Sequence, residues 1–322
     1  MRILVTGGAG YIGSHLVDRL MEEGHHVFVI DNLFTGKVDN IAHHLGHEQF
    51  TFVNEDILHR ETMEWLVQQV DLIYHLAAVV GVQHVLDNPL KVIMTNVRGT
   101  ERVLEMAYKY WRKVVIASSS EVYGKSEGVP LAEEDDSILG PTAAGRWSYA
   151  LAKAIDEHLA FIYHSRGLPT AIVRYFNSYG PRLDPRGYGS VVAKFISQAL
   201  SDKPLTVLDD GRQTRCFTYV DDTVRGTVLA ATLPQAKGLA FNIGSDHETS
   251  ILELARLIIQ LTDSSSRVRN VSYEEAFGPG FEETRRRVPD VRRAADVLGF
   301  EAQVQLEEGL QRTIDWFRQI KM

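Results

Sequence analysis

Short apolar segments alternate with longer segments of helical periodicity through the first half of the chain. The apolar segments are rich in Val and Ile and nearly continuous in hydrophobic character, as strands buried on both faces of a sheet are. They predict strands at Arg2–Thr6, His26–Asp31, Phe50–Asn54, Leu72–His75, Lys113–Ser118 and Pro169–Tyr175. The pattern between them predicts helices at Ile12–Glu23, Arg60–Gln69, Pro89–Trp111 and Ser148–Arg166. This alternation predicts right-handed crossovers and an α/β, doubly wound parallel sheet.

A glycine-rich loop joins the first predicted strand to the first predicted helix and reads Gly7-Gly8-Ala9-Gly10-Tyr11-Ile12-Gly13. Gly7 permits a tight turn, Gly10 lets the backbone approach a pyrophosphate, and Gly13 lets the helix pack closely against the strand. Free N–H groups at the start of a helix also attract an anion. This context predicts a Rossmann-type dinucleotide site that includes Tyr11 and Ile12.

Acidic residues follow the second and third predicted strands. Asp31 is placed where a carboxylate hydrogen-bonds ribose hydroxyls, and its charge would repel a 2′-phosphate, so we expect NAD rather than NADP. Asp56 either reaches the adenine or serves as a turn or N-cap residue. We include the neighbouring residues Asn32 and Ile57 in the predicted cofactor site.

The last third of the chain is less regular, because Gly, Pro and Arg interrupt its helical patterns. Two helices are predicted there, at Ser250–Leu261 and Leu306–Ile320. We therefore expect an NAD-binding Rossmann domain over residues 1–175 and a smaller, mainly substrate-binding lobe over 176–322. Residues near 217–245 are expected to return to the first domain. The lobe is expected over the carboxyl ends of the strands, where such sheets bind ligands.

Tyr149 and Lys153 lie four residues apart on a predicted helix and therefore share a face. A phenol with a pKa of about 10 is a weak base at neutral pH, but an adjacent ammonium and a positive nicotinamide would lower that pKa. Ser119 follows a predicted strand and is placed to hydrogen-bond the same hydroxyl. Asn96 is a polar residue in an otherwise apolar helix, either part of this site or a solvated helix residue.

These motifs together resemble those of the extended short-chain dehydrogenase/reductase family. The resemblance spans almost the whole chain and rests on the glycine loop, Asp31, His75-Leu76-Ala77-Ala78, Asn96, 118–124, Tyr149 with Lys153, and 174–182. It implies a tightly held NAD, bound also by Leu76, Ala77, Ala78, Asn96, Tyr149 and Lys153. It further implies Tyr149 as the catalytic acid/base, supported by Ser119 and Lys153, and a nucleoside-diphosphate sugar as the substrate.

The residue pair Ser120-Glu121 separates branches of this family. Nucleotide-sugar 4,6-dehydratases carry Asp-Glu at the matching position, so the missing Asp disfavours dehydration. The segment Ser-Glu-Val-Tyr-Gly is similar to that of UDP-glucuronate decarboxylases, including UDP-xylose synthases. The resemblance implies that Glu121 acts near C5 of the sugar and that Arg287 orients the substrate carboxylate. Glu121 is alternatively a solvated loop carboxylate, and the choice of Arg287 within the run 285–287 stays open.

The same resemblance assigns residues to the nucleotide sugar. Arg215 matches an arginine that contacts the nucleotide phosphates, and Asn177 matches an asparagine on the diphosphate side. Lys194 is a looser candidate, while Ser120 and Arg146 complete the expected substrate site. Three functions follow as alternatives. The first is decarboxylation of UDP-glucuronate to UDP-xylose or its 4-keto pentose, the second is 4-epimerisation of a UDP-sugar or UDP-uronate, and the third is a redox-sensing binding module.

The composition of the chain indicates which kinds of binding partner to expect. The 322-residue chain carries a formal net charge of −8, which argues against nucleic acid, and its single cysteine, Cys216, indicates a cytoplasmic protein. No apolar stretch approaches the length of about 20 residues that spans a bilayer, so no membrane is expected. The twelve histidines show no metal-ligand spacing. Helices 89–111 and 148–166 are apolar around much of their circumference, which predicts a homodimer through them.

Overall fold

The computed structural model describes residues 1–81, 87–186, 190–278 and 284–321. Its strands are β1 Arg2–Thr6, β2 His26–Ile30, β3 Phe50–Val53, β4 Leu72–His75, β5 Lys113–Ser119, β6 Thr170–Tyr175, β7 Ser178–Tyr179, β8 Leu205–Leu208, β9 Thr214–Cys216, β10 Thr218–Tyr219, β11 Ala240–Ile243, β12 Glu248–Ser250 and β13 Val268–Val271. Its helices are α1 Tyr11–Glu22, α2 Arg60–Gln69, α3 Pro89–Tyr110, α4 Ser148–Ser165, α5 Val191–Ala199, α6 Val220–Thr232, α7 Ile251–Thr262, α8 Tyr273–Phe277 and α9 Leu306–Lys321.

Seven parallel strands form the central sheet, in the order β11-β6-β5-β4-β1-β2-β3. The predicted α/β doubly wound parallel sheet is confirmed. The strand order reverses between β1 and β4, because β2 and β3 lie on one side of β1 and β4 lies on the other. Ligands bind at such a switch point, outside the carboxyl ends of the strands. The loops that follow β1 and β4 are therefore the expected floor of a binding site.

Helices cover both faces of this sheet, which explains the continuous apolar character of its strands. Ile3 and Val5 face one core, which includes residues of α1 and α6, whereas Leu4 faces a second core with residues of α2, α3 and α4. All three side chains are buried. A strand with an apolar core on each side has no solvent face on which to place polar residues.

The residues after β6 build smaller units beside the sheet. β8 pairs with β13, β9 pairs antiparallel with β12, and β7 pairs with β10. Ser250 caps α7 through a reciprocal pair of hydrogen bonds with Glu253, which fixes where that helix begins. β11 joins the edge of the central sheet beside β6. The division at residue 175 stays a prediction.

Most predicted elements differ from the observed ones by a residue or two at their ends. β2 ends at Ile30, so Asp31 belongs to the loop that follows, although its amide still bonds the carbonyl of Val53. β6 begins at Thr170 rather than Pro169, as expected for a residue that lacks an N–H donor. Among the described residues, no helix combines the length and the apolar character that crossing a membrane requires.

Candidate active site

The glycine loop and the segment after β4 meet at the switch point of the sheet. Gly7 has a φ of +72°, and a Cβ there would lie 2.8 Å from the amide nitrogen of Ala77. A Cβ on Gly13 would lie 2.1 Å from the Gly7 carbonyl oxygen, so α1 packs closely only because this residue is glycine. Gly10 precedes α1, and no side chain caps that helix. The glycine loop and the segment after β4 together form a concave surface, which we call the cradle. It fits the pyrophosphate of a dinucleotide, which the first amides of α1 would bind.

Acidic residues line the adenosine end of this cradle. The Asp31 carboxylate is buried and accepts hydrogen bonds from the amides of Ala9, at 3.0 Å, and Leu33, at 2.8 Å. Burial raises the pKa of Asp31, although both amides oppose that shift. An ionised carboxylate has lone pairs left for ribose hydroxyls after accepting these two bonds. The placement suits the predicted contact with a 2′-hydroxyl.

Asp56 lies beside Asn32, and Ile57 after it is buried. The Asn32 side chain donates to Asp56 Oδ2 at 2.9 Å, and the Leu58 amide donates to Asp56 Oδ1 at 2.9 Å. Asp56 is therefore a turn residue. It is not the N-cap of α2, since His59 holds that position. The structure leaves its contact with adenine as a prediction.

Asn96 is buried in α3 and holds the loop after β4. Its Oδ1 accepts from the amide of Val79 at 2.7 Å, and its Nδ2 donates to the Val79 carbonyl at 3.2 Å. The alternative of a solvated helix residue is wrong, since Asn96 is 1% exposed. Val79 directly follows the predicted cofactor residues Leu76, Ala77 and Ala78. The two hydrogen bonds of Asn96 with Val79 therefore position the loop that contains them.

Tyr149, Ser119 and Lys153 come together where β5 ends beside the first turns of α4. The Ser119 hydroxyl hydrogen-bonds that of Tyr149. Lys153 is buried, and its Nζ donates to the Ala117 carbonyl at 3.0 Å and to Asp156 Oδ2 at 3.1 Å. Sequence analysis missed Asp156, although its position three residues after Lys153 on the same helix was a signal.

The protein's own groups raise the pKa of Tyr149. Burial is the largest cause, and the negative charges of Glu121 and Asp156 add to it, while the hydrogen bond with Ser119 lowers it. Lys153 is paired with Asp156, and the lowering of the Tyr149 pKa by its ammonium stays a prediction. A positive nicotinamide is the other charge expected to lower this pKa, and it would oppose the effect of the two carboxylates on Tyr149.

Two buried arginines hold the carboxylate of Glu121. Arg146 Nη1 donates to Glu121 Oε2 at 2.8 Å and its Nη2 to Oε1 at 3.2 Å, while Arg287 Nη1 donates to Oε1 at 2.6 Å. Burial opposes the charge of Glu121, but Arg287 and Arg146 together hold its pKa well below the usual range. The alternative of a solvated carboxylate is wrong. Glu121 stays ionised at neutral pH and is not itself a proton donor.

The structure separates the three arginines of the run 285–287. Arg287 is 4% exposed and reaches Glu121, whereas Arg286 is exposed and makes a bidentate pair with Glu248. Arg285 is also exposed. Arg287 is thus the member of the run that points into the site. Residues 280–283 of the motif that suggested it lie outside the described residues.

The remaining predicted substrate residues follow β5 and β6 or lie on β9 and α5. Ser120 is buried beside Glu121, and Arg215 is buried on β9, where its Nη1 donates to the Thr214 carbonyl at 2.6 Å. Asn177 follows β6, and its buried Oδ1 has no hydrogen-bond partner within the described part of the chain. Burial lowers the pKa of Lys194 on α5. Their contacts with a nucleotide sugar stay predictions.

Asp18, His43 and His44 form a cluster that sequence spacing did not reveal, because 25 residues separate Asp18 from His43. Both imidazole Nε2 atoms lie 2.8 Å from Asp18 Oδ1, and Arg182 donates to Asp18 Oδ2 at 2.6 Å. The guanidinium supplies the charge that the carboxylate needs, so the cluster is explained as an Arg182–Asp18 ion pair with two imidazoles hydrogen-bonded to the same carboxylate, which together bind the loop after β2 to α1. The absence of a metal stays a prediction.

A family model described as the NAD dependent epimerase/dehydratase family matches residues 3–244. The chain belongs to this family. The resemblance to extended short-chain dehydrogenases/reductases is thereby confirmed, and so is the expectation of NAD as cofactor. The groups of this chain that fit NAD are the glycine loop, Asp31 and the loop after β4.

Relatives cover the chain almost completely. UDP-N-acetyl-α-D-glucosaminuronate decarboxylase of Bacillus cytotoxicus is 44% identical over 324 residues, covering 99% of this chain and 98% of the relative. UDP-glucuronic acid decarboxylase 1 of Xenopus tropicalis is 41% identical over 318 residues, covering 98% and 72%. Among solved structures, UDP-glucuronic acid 4-epimerase of Bacillus cereus, with UDP-glucuronic acid and NAD, has a TM-score of 0.89, 34% identity, and coverage of 99% and 100%.

Proposed function

We propose that the chain is an NAD-dependent decarboxylase of UDP-glucuronate that acts through a 4-keto sugar. The observation that supports this function most directly is the pair of buried arginines, Arg146 and Arg287, beside the Ser119–Tyr149 hydrogen bond. A guanidinium pair matches a carboxylate in shape and charge. The names of the two decarboxylase relatives support the same substrate class, a UDP-uronate.

The catalytic hydroxyls act on C4 of the sugar. Tyr149 takes the proton of the C4 hydroxyl, and Ser119 donates a hydrogen bond to the same oxygen. When bound, NAD would supply the hydride acceptor for C4 and the hydride donor for its later reduction. Lys153 supports Tyr149 by fixing a positive charge beside it. The C4 ketone that results lies β to the C6 carboxylate, which is the arrangement that permits loss of CO₂.

Breaking the C5–C6 bond releases CO₂ and places its electron pair on the C4 oxygen as an enolate. Ser119 and protonated Tyr149 stabilise this oxygen as preorganised donors. Arg287 and Arg146 orient the carboxylate before it departs. Glu121, held ionised by both arginines, aligns them and positions a water that protonates C5. Reduction at C4 then gives the UDP-pentose, and without it the 4-keto pentose is the product.

A 4-epimerase is the second candidate, since several similar solved structures are 4-epimerases. UDP-glucose 4-epimerase of Thermotoga maritima is 33% identical, with a TM-score of 0.90 and complete coverage of both chains. Such an enzyme would use the same Tyr149 cycle and present the opposite face of the ketone for reduction. A redox-sensing module is disfavoured, because the Ser119–Tyr149 hydroxyl pair is present and Lys153 is held one helical turn from Tyr149 by the Ala117 carbonyl.

Product analysis distinguishes the two enzymes. Incubation of the purified protein with UDP-glucuronate is expected to release CO₂ and a UDP-pentose, measured by mass spectrometry. The C4 epimer of the substrate, without CO₂, would contradict decarboxylation and support epimerisation. UDP-N-acetylglucosaminuronate is the matched second substrate, because a relative is named for it. Comparison of the two kcat/KM values then assigns the preferred uronate.

We also propose that the protein is a homodimer through α3 and α4. Leu151, Phe161 and Ile162 on α4 are exposed, as are Tyr108 on α3 and Trp111 after it. Apolar side chains concentrated on two neighbouring helices favour burial against a second copy. Sedimentation at micromolar concentration is expected to give the mass of a dimer, and Ile162→Glu to give a monomer. A monomeric parent protein would contradict this proposal.

We propose a cytoplasmic location for the protein. Its single cysteine, Cys216, is buried and unpaired with another cysteine. A chain without disulfides suits a reducing compartment.

A further inference from the structure

One side of α1 is bonded to the segment 177–182, which follows β6, and the mechanism above gives this contact no role. Tyr11, His15 and Asp18 are spaced at i, i+4 and i+7, so their side chains leave the helix on the same side. We call these three residues the α1 face. The segment that they contact begins with Asn177, the residue expected on the diphosphate side of the substrate.

Two residues of the α1 face hold the segment by uncharged hydrogen bonds. The hydroxyls of Tyr11 and Ser178 share a hydrogen bond of 3.3 Å, and His15 Nε2 lies 3.1 Å from the carbonyl oxygen of Pro181. Because a carbonyl only accepts, Nε2 of His15 carries a proton and donates. Burial, followed by the charge of Arg182, lowers the pKa of His15 to about 4, so its ring is neutral at neutral pH.

Asp18 is the charged member of the α1 face. Its Oδ2 accepts from Arg182 at 2.6 Å, at the far end of the segment, and its Oδ1 lies 2.8 Å from Nε2 of both His43 and His44. Burial opposes the charge of Asp18, but Arg182 and the two imidazoles hold its pKa below the usual range. The side chains of Asp18 and Arg182 are 22% and 18% exposed, so salt screens this pair less than an exposed one.

The segment is also held on its other side, and its backbone is strained. The Thr218 amide of β10 donates to the Asn177 carbonyl at 3.2 Å, and Ser178 Oγ lies 2.9 Å from Thr223 Oγ1 on α6. Asn177 and Arg182 have left-handed backbones, with φ of +36° and +67°. Such conformations cost free energy in residues other than glycine and persist only where the surrounding structure enforces them. The contacts on both sides therefore determine where Asn177 lies.

We propose that the α1 face is a positioning surface for the diphosphate of the nucleotide sugar, because it fixes Asn177 relative to the NAD cradle. This inference rests on the nucleotide-sugar substrate of the proposed function. The first turn of α1 would bind the pyrophosphate of NAD, and the same helix holds the segment that begins with Asn177. The side-chain amide of Asn177 has the N–H donors that a phosphate oxygen accepts. One helix thus positions the groups for both diphosphates.

Asp18→Ala tests whether the α1 face acts on the phosphates. UDP and uridine share base and ribose, and only UDP has the phosphates that Asn177 is expected to bind. In the NAD-loaded protein we expect UDP to bind about tenfold more weakly, the loss of one charge-assisted hydrogen bond. Uridine is expected to bind within about twofold of its parental affinity. Calorimetry measures the affinity for UDP, and ligand-observed NMR that for uridine.

Glu23→Ala is the matched control, because it removes a carboxylate directly after α1. Glu23 is exposed, and its partner Arg19 lies on α1 away from the segment 177–182. Both affinities are expected to equal those of the parent.

His15 supplies a second test, which applies if Asp18→Ala does not fold or retain NAD. His15→Leu removes the donor to the Pro181 carbonyl, and UDP is expected to bind about fivefold more weakly, the loss of one neutral hydrogen bond. His15→Gln places an N–H donor at a similar reach and is expected to restore most of that loss. Equal losses in the Leu and Gln variants would contradict the proposed contact.

Asn177→Ala identifies the residue through which the α1 face acts. Alone it is expected to weaken UDP binding about tenfold, and adding Asp18→Ala is expected to cause little further loss. A merely structural role for Asp18 would lower the unfolding midpoint and add its own loss to that of Asn177→Ala.

Parental affinity for UDP in a folded, NAD-loaded Asp18→Ala protein would overturn the inference, and so would equal losses for UDP and uridine. A parent protein that binds UDP but turns over no UDP-uronate would instead contradict the proposed decarboxylation. The binding experiments need no turnover, so the two failures are distinct.

Discussion

Tyr149→Phe is expected to lower kcat on UDP-glucuronate about 1,000-fold while NAD stays bound, because general acid–base groups contribute about 10²- to 10⁴-fold. The substitution removes one oxygen and leaves the ring in place beside Val79 and Val92. Without that hydroxyl, nothing accepts the C4 proton and Ser119 is the remaining donor to the C4 oxygen. CO₂ release measures the whole reaction, and absorbance of the reduced nicotinamide measures the first step.

Tyr163→Phe is the control for this experiment. It removes the same atom from the same helix, at a ring that packs in the apolar core away from the site. Its kcat is expected to match the parent value. Parental turnover by Tyr149→Phe would remove the basis of the mechanism, and failure to retain NAD would show that the variant tests binding instead.

The sheet was predictable from the sequence because its signals are local. Each strand reads as a short apolar run, since Leu4 is buried in one core and Ile3 and Val5 in the other. β11 was harder, because it lies at the edge of the sheet more than 60 residues after β6, its partner in the ladder. Pairing between strands so distant in the sequence leaves no local periodic signal.

The same distinction between local and distant contacts decides which residues of the site could be predicted. The glycine loop and the Tyr149–Lys153 pair were predictable, because a turn and a helix face fix their geometry. The bond between Glu121 and Arg287 joins residues 166 apart. Only the fold selects Arg287 over its neighbours.

The run of three arginines provides a sharp test of carboxylate recognition. Arg287→Gln is expected to lower kcat/KM for UDP-glucuronate about 100-fold, the cost of losing a buried, charge-assisted contact. Glu121 would keep Arg146 as its partner, so the loop after β5 is expected to stay in place. Retention of NAD is expected to be unchanged, because the cradle lies on the loops after β1 and β4.

Arg286→Gln is the matched control, one residue away. Arg286 is exposed and pairs with Glu248, and exposed ion pairs contribute at most about 1 kcal/mol to stability. Its kcat/KM is therefore expected to equal that of the parent. Arg287→Lys keeps the charge but loses the fork geometry that matches a carboxylate, so its activity is expected to lie between those of the parent and Arg287→Gln. Equal losses in the variants at 286 and 287 would mean that the run acts through its overall charge, and recognition of the substrate carboxylate by Arg287 would then be wrong.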